Sequence, residues 1–201
     1  MTAPPSEKPA AAAPAGLRIA IVGAESTGKT ALAERLATRL SEHTGWHSTW
    51  VPEWLRAWCD REGRTPRPDE QRAIAEQQQA LIEAAAARHA LVVCDTTPLM
   101  TAVYSRLLFW DTTLDGYALA RQREVTLTLV TAPDIPWVAD GLQRDGPQVR
   151  GPVDEAVREL LTEHRLPWAR VTGEGEARVD NAVAAVLAHL RGKGLWRAPR
   201  A

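Results

Sequence analysis

Eight consecutive residues, Gly23-Ala24-Glu25-Ser26-Thr27-Gly28-Lys29-Thr30, have the types and spacing of a loop that holds phosphate, G-x-x-x-x-G-K-[ST]. Glycine permits the tight turn that aims backbone N–H groups inward. Those groups, with the N-terminus of a following helix, bind phosphate oxygens. In such a loop Lys29 bridges the β- and γ-phosphates and the Thr30 hydroxyl ligates Mg²⁺. With Ala31 directly after it, the loop gives a nucleotide-binding set of Gly23, Glu25, Ser26, Thr27, Gly28, Lys29, Thr30 and Ala31, and ATP with Mg²⁺ as the expected cofactors. Among 24 basic residues only Lys8, Lys29 and Lys193 are lysine. A chain that writes nearly every positive charge as arginine keeps a compact ammonium inside the loop, where a planar guanidinium is no substitute. Glu25 faces the metal shell, an acceptor or solvent.

A phosphate donor needs an acceptor and groups that activate it. Asp95 follows the apolar run Leu91-Val92-Val93-Cys94. A carboxylate at such a strand end reaches Mg²⁺ or its water, takes the proton from an acceptor hydroxyl, or caps the helix that begins at Pro98. Glu53 and Arg56, three apart, share a helix face and either hold a polyhydroxylated acceptor or form a surface ion pair. Residues 134–150 are too polar and too broken by glycine and proline for a core helix. They read as a surface loop or as a lid that excludes water and brings Arg144 or Arg150 to the transferring phosphoryl group. Trp54, beside Glu53, is a flat surface for a ring in the acceptor pocket, with Tyr104 and Trp137 as further candidates. Of Gln77, Gln78 and Gln79, at most one can turn into the site. The five histidines show no metal spacing.

The elements that must position these groups alternate. Strands are expected at 17–22, 47–51, 91–94, 124–130 and 169–171. Helices are expected after the phosphate loop to Gly45, where Leu32, Leu36 and Leu40 recur every fourth residue, and over 69–90, 98–110, 152–164 and 178–191. Trp46, Trp50, Trp54 and Trp58 also recur every fourth residue, but Pro52 interrupts them. Strand–helix alternation implies an α/β fold with a parallel five-stranded sheet covered on both faces. Domain bounds follow: a Pro/Ala-rich disordered lead at 1–16, one P-loop kinase domain at 17–191 with the small lid at 134–150, and a tail at 192–201.

Composition narrows the rest. The 201 residues are 45% hydrophobic and 24% charged, with net charge −1, so no basic field attracts nucleic acid or anionic lipid. No apolar run approaches the roughly 20 residues that span a bilayer. The prolines near the N-terminus stand where a signal peptide needs an apolar block. Cys59 and Cys94 are the only cysteines. A reduced, cytoplasmic protein acting on a small molecule is expected.

GAESTGKT, PEWLR, Asp95-Thr96-Thr97 and PDIPWVADGLQRDGPQVR occur in that order. Together they resemble the ribosylnicotinamide kinase domain of the bifunctional NAD-biosynthesis regulator family and its stand-alone P-loop relatives, from about Leu17 to Ala188. The resemblance implies transfer of the ATP γ-phosphate to the ribose 5′-hydroxyl of nicotinamide riboside. By matching position, Lys29 and Thr30 would hold phosphate and Mg²⁺, Asp95 the ribose hydroxyl or the metal, and Glu53 and Arg56 the riboside. Asp140 and nearby arginines would belong to the lid, and Gly173 and Gly175 would lie beside adenine. Two positions depart from the family pattern: Thr97 replaces a second acid, and Gln143 stands where the lid arginine is usual, with Arg144 after it. The family's adenylyltransferase and DNA-binding activities are not expected. Two other readings keep the loop but change the function: a kinase for another nucleoside or vitamin-like alcohol, and a nucleotide-binding regulatory ATPase without a small-molecule acceptor.

Overall fold

A computed structural model describes residues 16–138 and 146–198. Strand β1 (Leu17–Val22) runs into the phosphate loop and helix α1 (Lys29–Thr44) leaves it. Leu32, Leu36 and Leu40 of α1 are all buried, as their spacing requires. Gly45 ends the helix in the left-handed region, its N–H donating to the Ser41 carbonyl. There follow β2 (Ser48–Val51), α2 (Trp54–Glu62), α3 (Gln71–Ala86), β3 (Leu91–Asp95), α4 (Pro98–Phe109), α5 (Asp115–Gln122), β4 (Leu127–Thr131), α6 (Arg150–Glu163), β5 (Trp168–Val171) and α7 (Gly175–Gly192). Single 3₁₀ turns at Pro68–Glu70 and Pro147–Val149 precede α3 and α6.

The five strands form one parallel sheet in the order β2-β3-β1-β4-β5. On β1, Ile19 lies between Val93 of β3 and Leu127 of β4, and Ile21 between Asp95 and Leu129. Alternation along β1 sorts the core into two layers. Ile19 and Ile21 pack with Leu36 of α1 and Val186 of α7. Ala20 and Val22 pack with Leu99 and Val103 of α4 and with Val157 and Leu161 of α6. Both faces being covered, the central strands β1 and β3 are nearly continuous apolar runs. The chain turns from one side of β1 to the other between β3 and β4, and ligands of open parallel sheets bind at the carboxyl ends of the strands at such a switch point. The phosphate loop and Asp95 lie there.

The structure shifts several expected bounds and adds two helices. The fourth strand begins at Leu127, not Glu124, because α5 occupies 115–122 and its exit turn continues through Val125, whose N–H donates to the Gln122 carbonyl. α3 spans a shorter stretch than 69–90, with a 3₁₀ turn before it and the Ala87 cap after it. α6 and α7 begin at Arg150 and Gly175, ahead of the expected starts. Pro52 divides the tryptophan series between β2, which carries Trp50, and α2, which carries Trp54 and Trp58. After α7, Gly194 turns the backbone at φ 68° and Trp196 packs into the α1–α7 layer beneath the Arg191 guanidinium. No helix among the described residues is long and apolar enough to cross a membrane.

Candidate active site

The phosphate loop is shaped by two glycines for different reasons. A Cβ on Gly23 would stand 2.4 Å from Thr131 Oγ1 and 2.9 Å from the Thr131 carbonyl, so the end of β4 leaves no room for a side chain. Gly28 is the N-cap of α1 at φ 73°, a left-handed conformation that costs glycine little. Having no side chain, it leaves the first N–H groups of α1 to an incoming anion. Ser26, at φ 54°, makes the other left-handed turn of the loop.

Side chains from three strands and helices fix this loop. The buried Thr27 hydroxyl donates to the Ala24 carbonyl at 2.8 Å and lies 2.7 Å from Thr131 Oγ1. The Thr27 carbonyl accepts from Arg178 Nη1 at 2.7 Å. Arg178, only 4% exposed, also donates to the Gly173 carbonyl at 2.5 Å and to Asp134. Asp134 in turn accepts from the Gly173 N–H at 2.7 Å. Arg150 donates to the Ile135 carbonyl at 3.0 Å, and Ser26 Oγ accepts from the Val138 N–H at 2.8 Å. The start of the 134–150 segment is therefore stitched to the loop. Asp140 and Arg144 lie outside the described residues.

Lys29 Nζ donates to the Ala24 carbonyl at 2.9 Å, folded over its own loop. Thr30 Oγ1 donates to Asp95 Oδ2 at 2.6 Å. Asp95 is 1% exposed. Burial raises its carboxyl pKa above the usual range, against the opposing effects of the Thr30 hydrogen bond and the Lys29 and Arg56 charges. Asp95 does not cap α4; Thr97 is the N-cap, and its hydroxyl donates to Gln122 Oε1 at 2.7 Å, inside the core. The position where the resembled family has a second acid is thus turned away from the site. Asp95 Oδ1 is buried with no hydrogen-bond partner among the described residues. That oxygen beside a threonine hydroxyl at a phosphate loop fits Mg²⁺, which takes one or two protein oxygens and completes its shell with phosphates and water.

A cavity of about 550 Å³ opens beside the loop, within the size range of small-molecule sites. Glu25, Ser26 and Lys29 line it on the loop side; Glu53, Leu55 and Arg56 come from the start of α2, and Met100, Tyr104 and Phe109 from α4. Thr65 to Pro68, between α2 and α3, form a further wall. Arg64 holds that wall through two 2.7 Å hydrogen bonds to Glu70, and its guanidinium stacks 4.9 Å over Trp58. The bidentate pair, with the Arg67 N–H, lowers the Glu70 pKa to about 2.

The cavity thus gathers Glu25, Ser26, Lys29, Glu53, Arg56 and Tyr104, six residues singled out from the sequence. Trp54 and Trp137 do not line it. Trp54 gives the site its backbone N–H, which donates to Gln78 Oε1 at 2.7 Å, while Arg61 covers its ring; Leu55 lines the cavity instead. Arg150 braces the segment behind the loop rather than the cavity. Gly175 and Ala31 line a second hollow of about 100 Å³ with Gly28, Leu32 and Ile135, and Gly173 serves as partner to Asp134 and Arg178. Of Gln77, Gln78 and Gln79, it is Gln78 that reaches the site's backbone, at Trp54; Gln71 and Arg178 were not assigned a site role from the sequence. The signal was present: each is a polar residue on a buried apolar helix stripe, with Ile74 and Ile82 in α3 and Val179 and Val183 in α7.

Comparison with known proteins bears on the family and the fold. A family model described as an AAA domain matches residues 18–178. No curated protein matches the chain by sequence. Among solved structures, a NadR protein in complex with NR superposes with a TM-score of 0.70 at 20% identity, covering 92% of this chain and 53% of that one. A NadR protein in complex with NAD and AMP-PNP gives 0.67 at 18% identity, covering 92% of this chain and 51% of that one. Thymidylate kinase from Candida albicans gives 0.62 at 14% identity, covering 93% and 96%. The chain spans about half the length of the NadR structures. At these identities the likeness establishes the fold, and it agrees with the resemblance carried by the motifs. The chain belongs to the AAA domain family and has the parallel α/β fold of P-loop nucleotide-binding proteins.

Proposed function

We propose that the chain is an ATP-dependent phosphotransferase that phosphorylates the ribose 5′-hydroxyl of nicotinamide riboside. The observation that carries this reading is that one cavity is lined both by Lys29 of the phosphate loop and by Glu53, Arg56 and Tyr104 of the acceptor side. An alcohol held there lies next to the terminal phosphate held by the loop, and positioning supplies much of the catalysis in phosphoryl transfer. Support also comes from the likeness to a NadR structure that contains NR.

In this reading the loop N–H groups and Lys29 hold the β- and γ-phosphates, and Lys29 leaves the Ala24 carbonyl to do so. Thr30 and Asp95 hold Mg²⁺, which when bound neutralises charge on the transferring phosphoryl group. Glu53 and Arg56 orient the ribose, and Tyr104 packs against the base. The walls from Thr65 to Pro68 and from Met100 to Phe109 exclude water, so the phosphoryl group meets the alcohol rather than solvent.

A second reading rests on Arg56 and Arg67, which both line the cavity. Guanidinium groups suit an acceptor that already carries a phosphate, as the likeness to thymidylate kinase would have it. A steady-state assay of ADP release with ATP, Mg²⁺ and a panel of acceptors separates the two. Nicotinamide riboside as the best acceptor, with its mononucleotide as product, supports the first reading. A nucleoside monophosphate as the best acceptor supports the second and excludes the first.

A further inference from the structure

The acceptor cavity continues, away from the phosphate loop, into an annex of about 30 Å³ that no loop residue lines. The annex is small beside the main cavity, so it takes the tip of a ligand rather than a second ring. Gln71 lines both the cavity and the annex. It is 95% buried (5% exposed), and its side-chain amide makes no hydrogen bond to another described residue, so it is left open to the cavity it lines. The other glutamine at the annex, Gln78, is committed: its Oε1 accepts from the Trp54 N–H at 2.7 Å and its Nε2 donates to the Pro52 carbonyl at 3.4 Å. The neighbouring protein groups leave both amide atoms uncommitted, so at the end of a binding cavity they are available to a ligand group that reaches the annex.

We infer that Gln71 selects the acceptor by pairing with an uncharged group that offers both a donor and an acceptor, a carboxamide or a lactam edge. A glutamine amide presents one carbonyl oxygen and one NH₂ side by side. A carboxamide satisfies both. A carboxylate satisfies only the NH₂ and sets its charge against the glutamine oxygen, and a methyl ketone leaves that oxygen unpaired. This inference rests on the riboside-kinase reading and adds what the far end of the riboside must be.

The test compares three ribosides with the wild type, Gln71→Met and Gln71→Glu: nicotinamide riboside, the analogue with a carboxylate in place of the carboxamide, and the analogue with a methyl ketone. The wild type prefers the carboxamide by roughly 10–100-fold in kcat/KM, the scale of one buried hydrogen bond left unmade. Gln71→Met reduces that preference to about twofold, keeps the KM for ATP, and does not lower Tm, since it removes an unpaired polar group. Gln71→Glu disfavours the carboxylate analogue further. A preference that survives in Gln71→Met, with Tm and the ATP KM intact, overturns this inference and leaves the kinase reading standing. A lowered Tm in Gln71→Met assigns Gln71 a structural role and also overturns it. Turnover of none of the three ribosides by the wild type overturns the kinase reading, and this inference with it.

Discussion

Thr30 and Asp95 are joined by a 2.6 Å hydrogen bond, Thr30 Oγ1 donating to Asp95 Oδ2. The bond links the first turn of α1 to the end of β3, which brackets the cation position with two side chains from separate elements. Asp95→Asn keeps the shape and removes the anionic oxygens. Turnover falls by about 10²–10⁴-fold, the several kcal/mol that stabilisation of phosphoryl charge is worth, and half-saturation by Mg²⁺ moves to higher concentration. Magnesium titration of the rate checks this. A rate loss with an unchanged magnesium requirement moves Asp95 to the general-base role, and an unchanged rate removes it from the mechanism.

Lys29 is held in a tight loop, its Nζ 2.9 Å from the Ala24 carbonyl. A guanidinium is wider than an ammonium and presents a planar fork. Lys29→Arg therefore loses turnover almost as fully as Lys29→Ala. Parallel rate measurements on the two variants decide it; an arginine variant within about tenfold of wild type would show that charge alone suffices at this position.

Arg178 is buried and donates to the Thr27 carbonyl, the Gly173 carbonyl and Asp134. Arg178→Met leaves the Thr27 and Gly173 carbonyls without this donor and costs about 1–3 kcal/mol of stability, the scale of a buried acceptor left unsatisfied. Because the Thr27 carbonyl belongs to the phosphate loop, the variant also binds ATP more weakly at temperatures where it remains folded. Chemical denaturation with nucleotide titration measures both. A change under about 1 kcal/mol would show that the buried network is not coupled to loop geometry.

Glu70 ties down the cavity wall through Arg64, and its pKa is lowered from 4.5 to about 2. A depressed carboxylate contributes stability that is fully present above the unfolded value and is lost as pH falls through the folded one. The Tm difference between wild type and Glu70→Gln is therefore constant above about pH 4.5 and shrinks as pH falls toward about 2. Thermal unfolding across that range reads it directly. A difference that does not narrow on acidification would mean the Arg64–Glu70 pair contributes no pH-linked stability.

The fold was legible where periodicity was strong. The run Leu17–Val22 and the four-residue spacing of Leu32, Leu36 and Leu40 gave β1 and α1, and Asp95 was placed at the end of β3 from its position after four apolar residues. The helices α2 and α5 were not legible. They are short, nine and eight residues, and α2 begins at a tryptophan two residues beyond a proline. Local pattern is thin over such lengths, and tertiary contacts decide. For the site, motif spacing identified the loop and the PEWLR segment but could not say which side chain of a segment turns inward. Leu55 lines the cavity where Trp54 was expected. Gln71 and Arg178 were hidden for the opposite reason: long-range geometry gives them their surroundings, and the only local trace is a polar residue on an apolar stripe.

The account depends on the loop from Gly23 to Thr30 gripping the phosphates of a nucleotide. Isothermal calorimetry of the purified protein with ATP and Mg²⁺ tests that most directly. The expected result is saturable binding that Lys29→Ala weakens severely while the fold, followed by Tm, is kept. Absence of any binding heat from a folded wild-type protein, or equal affinity in Lys29→Ala, would contradict it.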